Sequence, residues 1–95
     1  MADKVVNYSH TDNPEDAYTK AKAEVTPEYV AKYNVKADVN FDDSKKEIKA
    51  IGKGFEMTLS FGESSCEVSL SLSLILRALK GKILEAVERK LQKTI

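Results

Sequence analysis

The sequence predicts an α+β fold: an antiparallel sheet of three to five strands with two helices packed on one face, in the order β-α-β-β-β(-β)-α. Three patterns carry that expectation. Apolar and polar residues alternate with a period of two over residues 33–41 and again over 66–74, as in strands that bury one face. Leu76, Leu79, Ile83, Val87, Leu91 and Ile95 recur at helical spacing, giving a long amphipathic helix. Between Thr11 and Ala17 the run TDNPEDA reads as a helix start.

In chain order, Lys4 to His10 is short and partly β-branched, compatible with a first strand whose apolar members are Val5 and Tyr8. Thr11 or Asn13 can cap the first helix, Pro14 suits its first position, and Glu15 and Asp16 complement its dipole. Ala17, Tyr18, Ala21 and Val25 then form a narrow apolar face of mostly small residues, suited to close packing on a sheet. Thr26-Pro27 interrupts this pattern, so the helix either kinks or gives way to a second segment capped by Thr26, with Tyr29 and Val30 facing inward.

Tyr33, Val35, Ala37, Val39 and Phe41 form the inward set of the next strand. Asp42-Asp43-Ser44-Lys45 supplies turn residues, and Ile48 and Ala50 resume the alternation. Beyond Gly52-Lys53-Gly54 the apolar positions become Phe55, Met57, Leu59 and Phe61. That shift in phase fits a bulge in one long strand and a tight turn between two strands equally well. After the turn at Gly62-Glu63-Ser64-Ser65, Cys66, Val68, Leu70, Leu72 and Leu74 form the cleanest inward set. Ser73 is the expected cap of the last helix, inside which Gly81 costs about 1 kcal/mol relative to alanine. The opposite sheet face would carry Asn34, Lys36, Asp38, Asn40, Lys49, Glu56, Thr58, Ser60, Glu67, Ser69 and Ser71 and remain in water.

Ninety-five residues hold one hydrophobic core and a single domain, residues 1–95. Fifteen basic residues balance fifteen acidic ones, which removes the broad positive field of a dedicated nucleic-acid binder. The single cysteine, Cys66, has no internal disulfide partner and no metal-ligand spacing. The N-terminal residues lack a secretory signal pattern, and nowhere do eighteen apolar residues follow one another. The expected location is the cytoplasm, with no transmembrane segment.

No catalytic, cofactor-binding or metal-ligating residue is assigned, and no cofactor is expected. His10, the only histidine, stands just before a helix start, where a cap or turn role is favoured. Asp42 and Asp43 are turn neighbours that point apart and stay solvated. Gly52-Lys53-Gly54 lacks the spacing and the hydroxyl residue of a phosphate-binding loop. Ser64, Ser65 and Cys66 have no histidine or acid at a useful spacing. Lys45, Lys46, Lys49 and Lys53, and Lys80, Lys82, Arg89, Lys90 and Lys93, are interleaved with acids and read as solvated faces. An amphipathic helix flanked by lysines also suits a membrane or granule surface, but packing on its own sheet is the default.

With these residues in view, the chain resembles the polyhydroxyalkanoic acid system protein family, small bacterial proteins named for genes found near polyester-granule genes. The resemblance runs from His10 to Leu91: the histidine closing the first strand, the Pro14-Glu15-Asp16-Ala17 helix start, the glycine-marked segment Gly52 to Phe55, and Leu70-x-Leu72 leading into Leu76, Lys80, Ile83, Val87 and Leu91. Members often carry a tryptophan around the second strand, where this chain has Phe41. The resemblance implies a non-enzymatic accessory or interaction protein of storage-polyester metabolism, with protein partners or a granule surface as what it binds. The alternative is an RNA- or ribosome-binding module using the basic C-terminal helix, although nucleic acid is disfavoured by the charge balance and by the lack of aromatic platforms on the open face. An enzyme built around His10 and a carboxylate is the third reading. The free edges of an open sheet also suit a homodimer.

Overall fold

Among the described residues, five strands form one fully antiparallel sheet in the order β1-β5-β4-β3-β2. The computed structural model describes residues 3–26, 28–29 and 37–95. The strands are β1 (Lys4–Asn7), β2 (Ala37–Asp42), β3 (Glu47–Gly52), β4 (Phe55–Phe61) and β5 (Ser65–Leu72). Helix α1 (Pro14–Glu24) follows β1, and helix α2 (Lys80–Thr94) follows β5 through a short 3-10 turn, Arg77–Leu79. The expected α+β class and element order are found, with five strands.

The cross-strand register explains the alternation in the sequence. Ile48 lies opposite Leu59, and Leu59 opposite Val68; opposed residues of antiparallel strands share a face. This row, with Ala50, Phe55, Met57, Phe61, Cys66 and Leu70, forms the sheet side of the core. Ala17, Tyr18, Ala21 and Val25 from α1 and Ile83, Leu84, Val87 and Leu91 from α2 cover it. Helices α1 and α2 therefore pack on one face. The small side chains Ala17 and Ala21 are fully buried, as close approach of α1 requires.

Asn13 caps α1 by accepting the Asp16 amide at 2.8 Å, with Pro14 at the first position. Thr11 turns away to the other end of the chain. Helix α1 ends at Glu24, and the Thr26 hydroxyl then accepts the Tyr29 amide at 3.2 Å. The readings made for Pro27, Val30 and Tyr33 to Lys36 lie outside the described residues.

The glycine segment is a hairpin turn: β3 ends at Gly52, which pairs with Phe55 at the start of β4. Gly54 has φ +74°, a left-handed conformation that glycine adopts without a Cβ clash. Its carbonyl accepts the Ser73 amide at 2.8 Å.

Four sequence expectations are corrected. Val6, opposite Cys66, is the buried member of β1, whereas Val5 is 52% exposed. Phe41 lies on the helix face yet is 41% exposed, because β2 is an edge strand of the described sheet. Leu74 is 78% exposed, since β5 pairs only as far as Leu72, opposite Phe55 where β4 begins. Ser73 does not cap α2: the chain first turns through Leu76, and α2 starts at Lys80 without a side-chain cap, putting Gly81 in its first turn.

Candidate functional site

The residues with chemical potential are distributed over separate parts of the fold. His10 lies exposed in the β1–α1 connection. Its amide donates to the main-chain oxygen of Ile95 at 2.8 Å, and its own carbonyl accepts the Lys20 ammonium at 3.3 Å. The Ser9 and Thr11 amides converge on the same Ile95 oxygen at 2.9 and 3.1 Å, and the Thr11 hydroxyl joins them at 3.1 Å. His10 thus contributes backbone groups to a clasp between the two ends of the chain.

A second polar cluster joins α1 to the β2–β3 turn. The Tyr18 hydroxyl donates to Asp43, and Lys22 forms an ion pair with the same carboxylate oxygen at 3.2 Å. The Lys22 ammonium also lies 5.2 Å from the Tyr18 ring centroid and 5.4 Å from that of Phe41. Those distances are within cation–π range. The hydrogen bond from Tyr18 and the lysine hold the Asp43 carboxyl below its ordinary value of 3.8. Burial first, and then the hydrogen bond to Asp43, push the Tyr18 hydroxyl up to about 12. Neither group titrates near neutrality, so the pair is poorly matched to acid–base catalysis there. Asp42 turns aside to accept the Lys45 amide at 3.0 Å, so the adjacent carboxylates have separate structural tasks. The neighbouring depression, lined by Asn40, Phe41, Asp42, Ser44, Lys45 and Glu47, is open to solvent.

Cys66 is fully buried on β5, and burial pushes its thiol up to about 12. A thiol in that state is a weak nucleophile. Ser64 lies in the β4–β5 turn, where its carbonyl accepts the Tyr8 amide at 3.1 Å, and Ser65 pairs with Asn7. The Tyr8 hydroxyl donates to the Gly62 carbonyl at 2.6 Å. Among the described residues there is no cluster of three histidine, cysteine or acidic side chains placed to hold a metal ion.

Charge is segregated between surfaces although the chain is neutral overall. On the open sheet face, Lys49 stands against Asp38, Asp42, Glu47, Glu56 and Glu67, with Thr58, Ser60, Ser69 and Ser71 between them. The segment from Arg77 through α2 carries Arg77, Lys80, Lys82, Arg89, Lys90 and Lys93 against Glu85 and Glu88. Among the described residues, three ion pairs tie α2 to its neighbours: Lys80 to Asp3 at 3.2 Å, Lys4 to Glu88 at 3.8 Å and Lys90 to Glu24 at 3.3 Å.

The feature that sequence reasoning missed is an apolar tip where β5 passes into α2. Leu74 and Ile75 are 78% and 89% exposed, and Leu79 is 37% exposed, while Leu76 folds back onto the core. A signal was present: Leu74-Ile75-Leu76 are consecutive, and neither strand nor helix geometry can turn three successive side chains to one face.

These elements define a small α+β domain whose most distinctive described surfaces are an acidic sheet face and an apolar tip beside cations. The chain belongs to the family described as "Putative polyhydroxyalkanoic acid system protein", whose family model matches residues 5–95. No curated protein and no solved structure matches it.

Proposed function

We propose that the protein is a non-enzymatic accessory factor of polyhydroxyalkanoate storage-granule metabolism, working in the cytoplasm through binding to proteins or to the granule surface. Family membership over residues 5–95 carries this reading. The dispersal of the reactive groups supports the non-enzymatic part: His10 is exposed at one end of the sheet, Cys66 is enclosed in the core, and Asp42 and Asp43 serve the β2–β3 turn. The strands β1 and β2 are the sheet edges among the described residues, and their backbone groups are the natural place for a second copy or a protein strand to pair.

The RNA-binding alternative gains no support from the open face, where five carboxylates surround one lysine and would repel phosphates. The discriminating experiment is a pull-down with tagged full-length chain from polyester-accumulating cells, with and without nuclease, followed by protein identification. Retention of granule-associated proteins in both conditions is the expected result. Nuclease-sensitive recovery of ribosomal proteins alone would replace this reading with the RNA-binding one.

A further inference from the structure

The connection between β5 and α2 exposes apolar side chains where a water-soluble domain has no packing reason to keep them. Leu74 is 78% exposed, Ile75 89% and Leu79 37%, and Ala78 between them is exposed as well. The segment is anchored at its base. The Ser73 amide donates to the Gly54 carbonyl at 2.8 Å, the Leu76 amide to the Ser73 carbonyl at 3.1 Å, and the Leu79 amide to the Leu76 carbonyl at 2.9 Å. Leu76 packs against the core and holds the turn down. The outward residues are thus presented by a hydrogen-bonded turn, which reduces the ordering cost of binding.

The charges around this tip are mainly positive. Arg77 belongs to the turn, Lys80 and Lys82 to the first turn of α2, and Lys53 to the adjoining β3–β4 hairpin. Lys80 is paired with Asp3, whereas Lys53, Arg77 and Lys82 make no ion pair among the described residues. Two other carboxylates belong to this end of the sheet, Asp38 and Glu56, and their register puts them on the open face, away from the helices. The first turn of α2 contains no acidic residue and no side-chain cap. Its positive dipole end is therefore reinforced by lysines rather than offset.

We propose that this tip docks on an anionic lipid surface, with Leu74, Ile75 and Leu79 entering the apolar layer and Lys53, Arg77 and Lys82 meeting the headgroups. Exposed apolar side chains beside unpaired cations are the two components of interfacial binding, and each cation close to such a surface strengthens it about fivefold. The charge pattern selects this occupant over an uncharged apolar partner. It also orients the molecule, since the acidic sheet face would be repelled by the same surface. The inference stands without the storage-granule reading, because it rests on the tip alone.

The test is co-sedimentation of the full chain with vesicles of phosphatidylcholine and of phosphatidylcholine mixed equally with phosphatidylglycerol. Binding to the anionic vesicles is expected, with little on the neutral ones and marked weakening in high salt. The double substitution Leu74→Ser/Ile75→Ser should lower the partition coefficient at least about tenfold, and Arg77→Glu/Lys82→Glu should remove the preference for anionic lipid. Circular dichroism checks that each variant stays folded, as expected for exposed positions. No binding to anionic vesicles, or binding that the Leu74/Ile75 variant retains, would overturn the proposal. So would a concentration-dependent dimer in sedimentation velocity that the same variant abolishes, which would assign the tip to a second copy. Vesicles without polyester or granule proteins make this result separable from the pull-down.

Discussion

The Thr11 hydroxyl donates to the main-chain oxygen of Ile95, 84 residues away in sequence. Together with the amides of Ser9, His10 and Thr11, it fixes the segment after β1 to the residue that follows α2. The Ile95 side chain is itself fully buried, so polar and apolar contacts secure the same junction.

Substitutions at this clasp should separate its parts. Ile95→Ala removes a fully buried side chain and should cost about 2–5 kcal/mol. Thr11→Val leaves the three amides on the acceptor and should cost only about 0.5–1.5 kcal/mol. His10→Ala should stay within about 0.5 kcal/mol of the parent, because only the backbone of His10 takes part in the clasp. Urea denaturation of the three variants measures the order. A large loss for His10→Ala would show that its ring has a role beyond the turn.

The two glycines at opposite ends of the apolar tip should respond in opposite directions to alanine. At Gly54, φ is +74° and an added Cβ would lie 2.7 Å from the Ser73 Oγ and 2.9 Å from its Cβ. Strain and contact together should destabilise Gly54→Ala by about 1–3 kcal/mol. At Gly81 an added Cβ meets nothing within 4 Å, and the residue is helical, so Gly81→Ala should stabilise by about 0.4–1 kcal/mol. Thermal unfolding of both variants tests this; a stabilised Gly54→Ala would contradict the hairpin geometry.

Much of this architecture was legible because period and pairing coincide. The alternation through β4 and β5 corresponds to residues that face one another, Leu59 with Val68 and Met57 with Leu70, and the small apolar stripe of α1 is the stripe that is buried. Legibility failed where burial depends on which strands are neighbours. Leu74 continues the β5 alternation in sequence, but β4 provides no partner beyond Phe55. Phe41 has the correct phase, yet it lies at the edge of the sheet. Val5 and Val6 are both good strand residues, and only the pairing of Val6 with Cys66 decides which of them is buried. The Tyr18–Asp43 contact spans 25 residues and has no local signature at all.

Stability should form a plateau that falls at both pH extremes. Asp3 is lowered from 3.8, chiefly by the Leu70 amide, and Asp43 is lowered by Tyr18 and Lys22. A carboxyl that binds protons more weakly when folded contributes stability above the unfolded value of 3.8, and that contribution is lost as pH falls through the lower folded value. Tyr8 and Tyr18 are raised from 10.0 to about 12, burial being the largest cause for each. Their contribution is complete below pH 10.0 and disappears as pH rises toward about 12, since the unfolded chain ionises first. Urea midpoints measured across the pH range should therefore decline at each end. Replacing Tyr18 by Phe should flatten the alkaline limb, and an unchanged limb would remove Tyr18 as a source.

Cys66 offers a direct probe of global opening. Its side chain is fully buried, and burial, assisted by Glu67, raises the thiol from 9.0 to about 12. Alkylating reagents attack the thiolate, so both access and ionisation protect this residue while the domain is folded. With iodoacetamide at mildly alkaline pH, the native protein should remain unlabelled, and labelling should rise along the same urea transition that circular dichroism reports. The destabilised Ile95→Ala variant should label faster in proportion to its larger open population when reclosing outpaces alkylation. Rapid labelling of the native parent would mean that β5 detaches from the core without global unfolding. Coincidence of labelling with the unfolding transition would instead show that both helices and the sheet open as one unit.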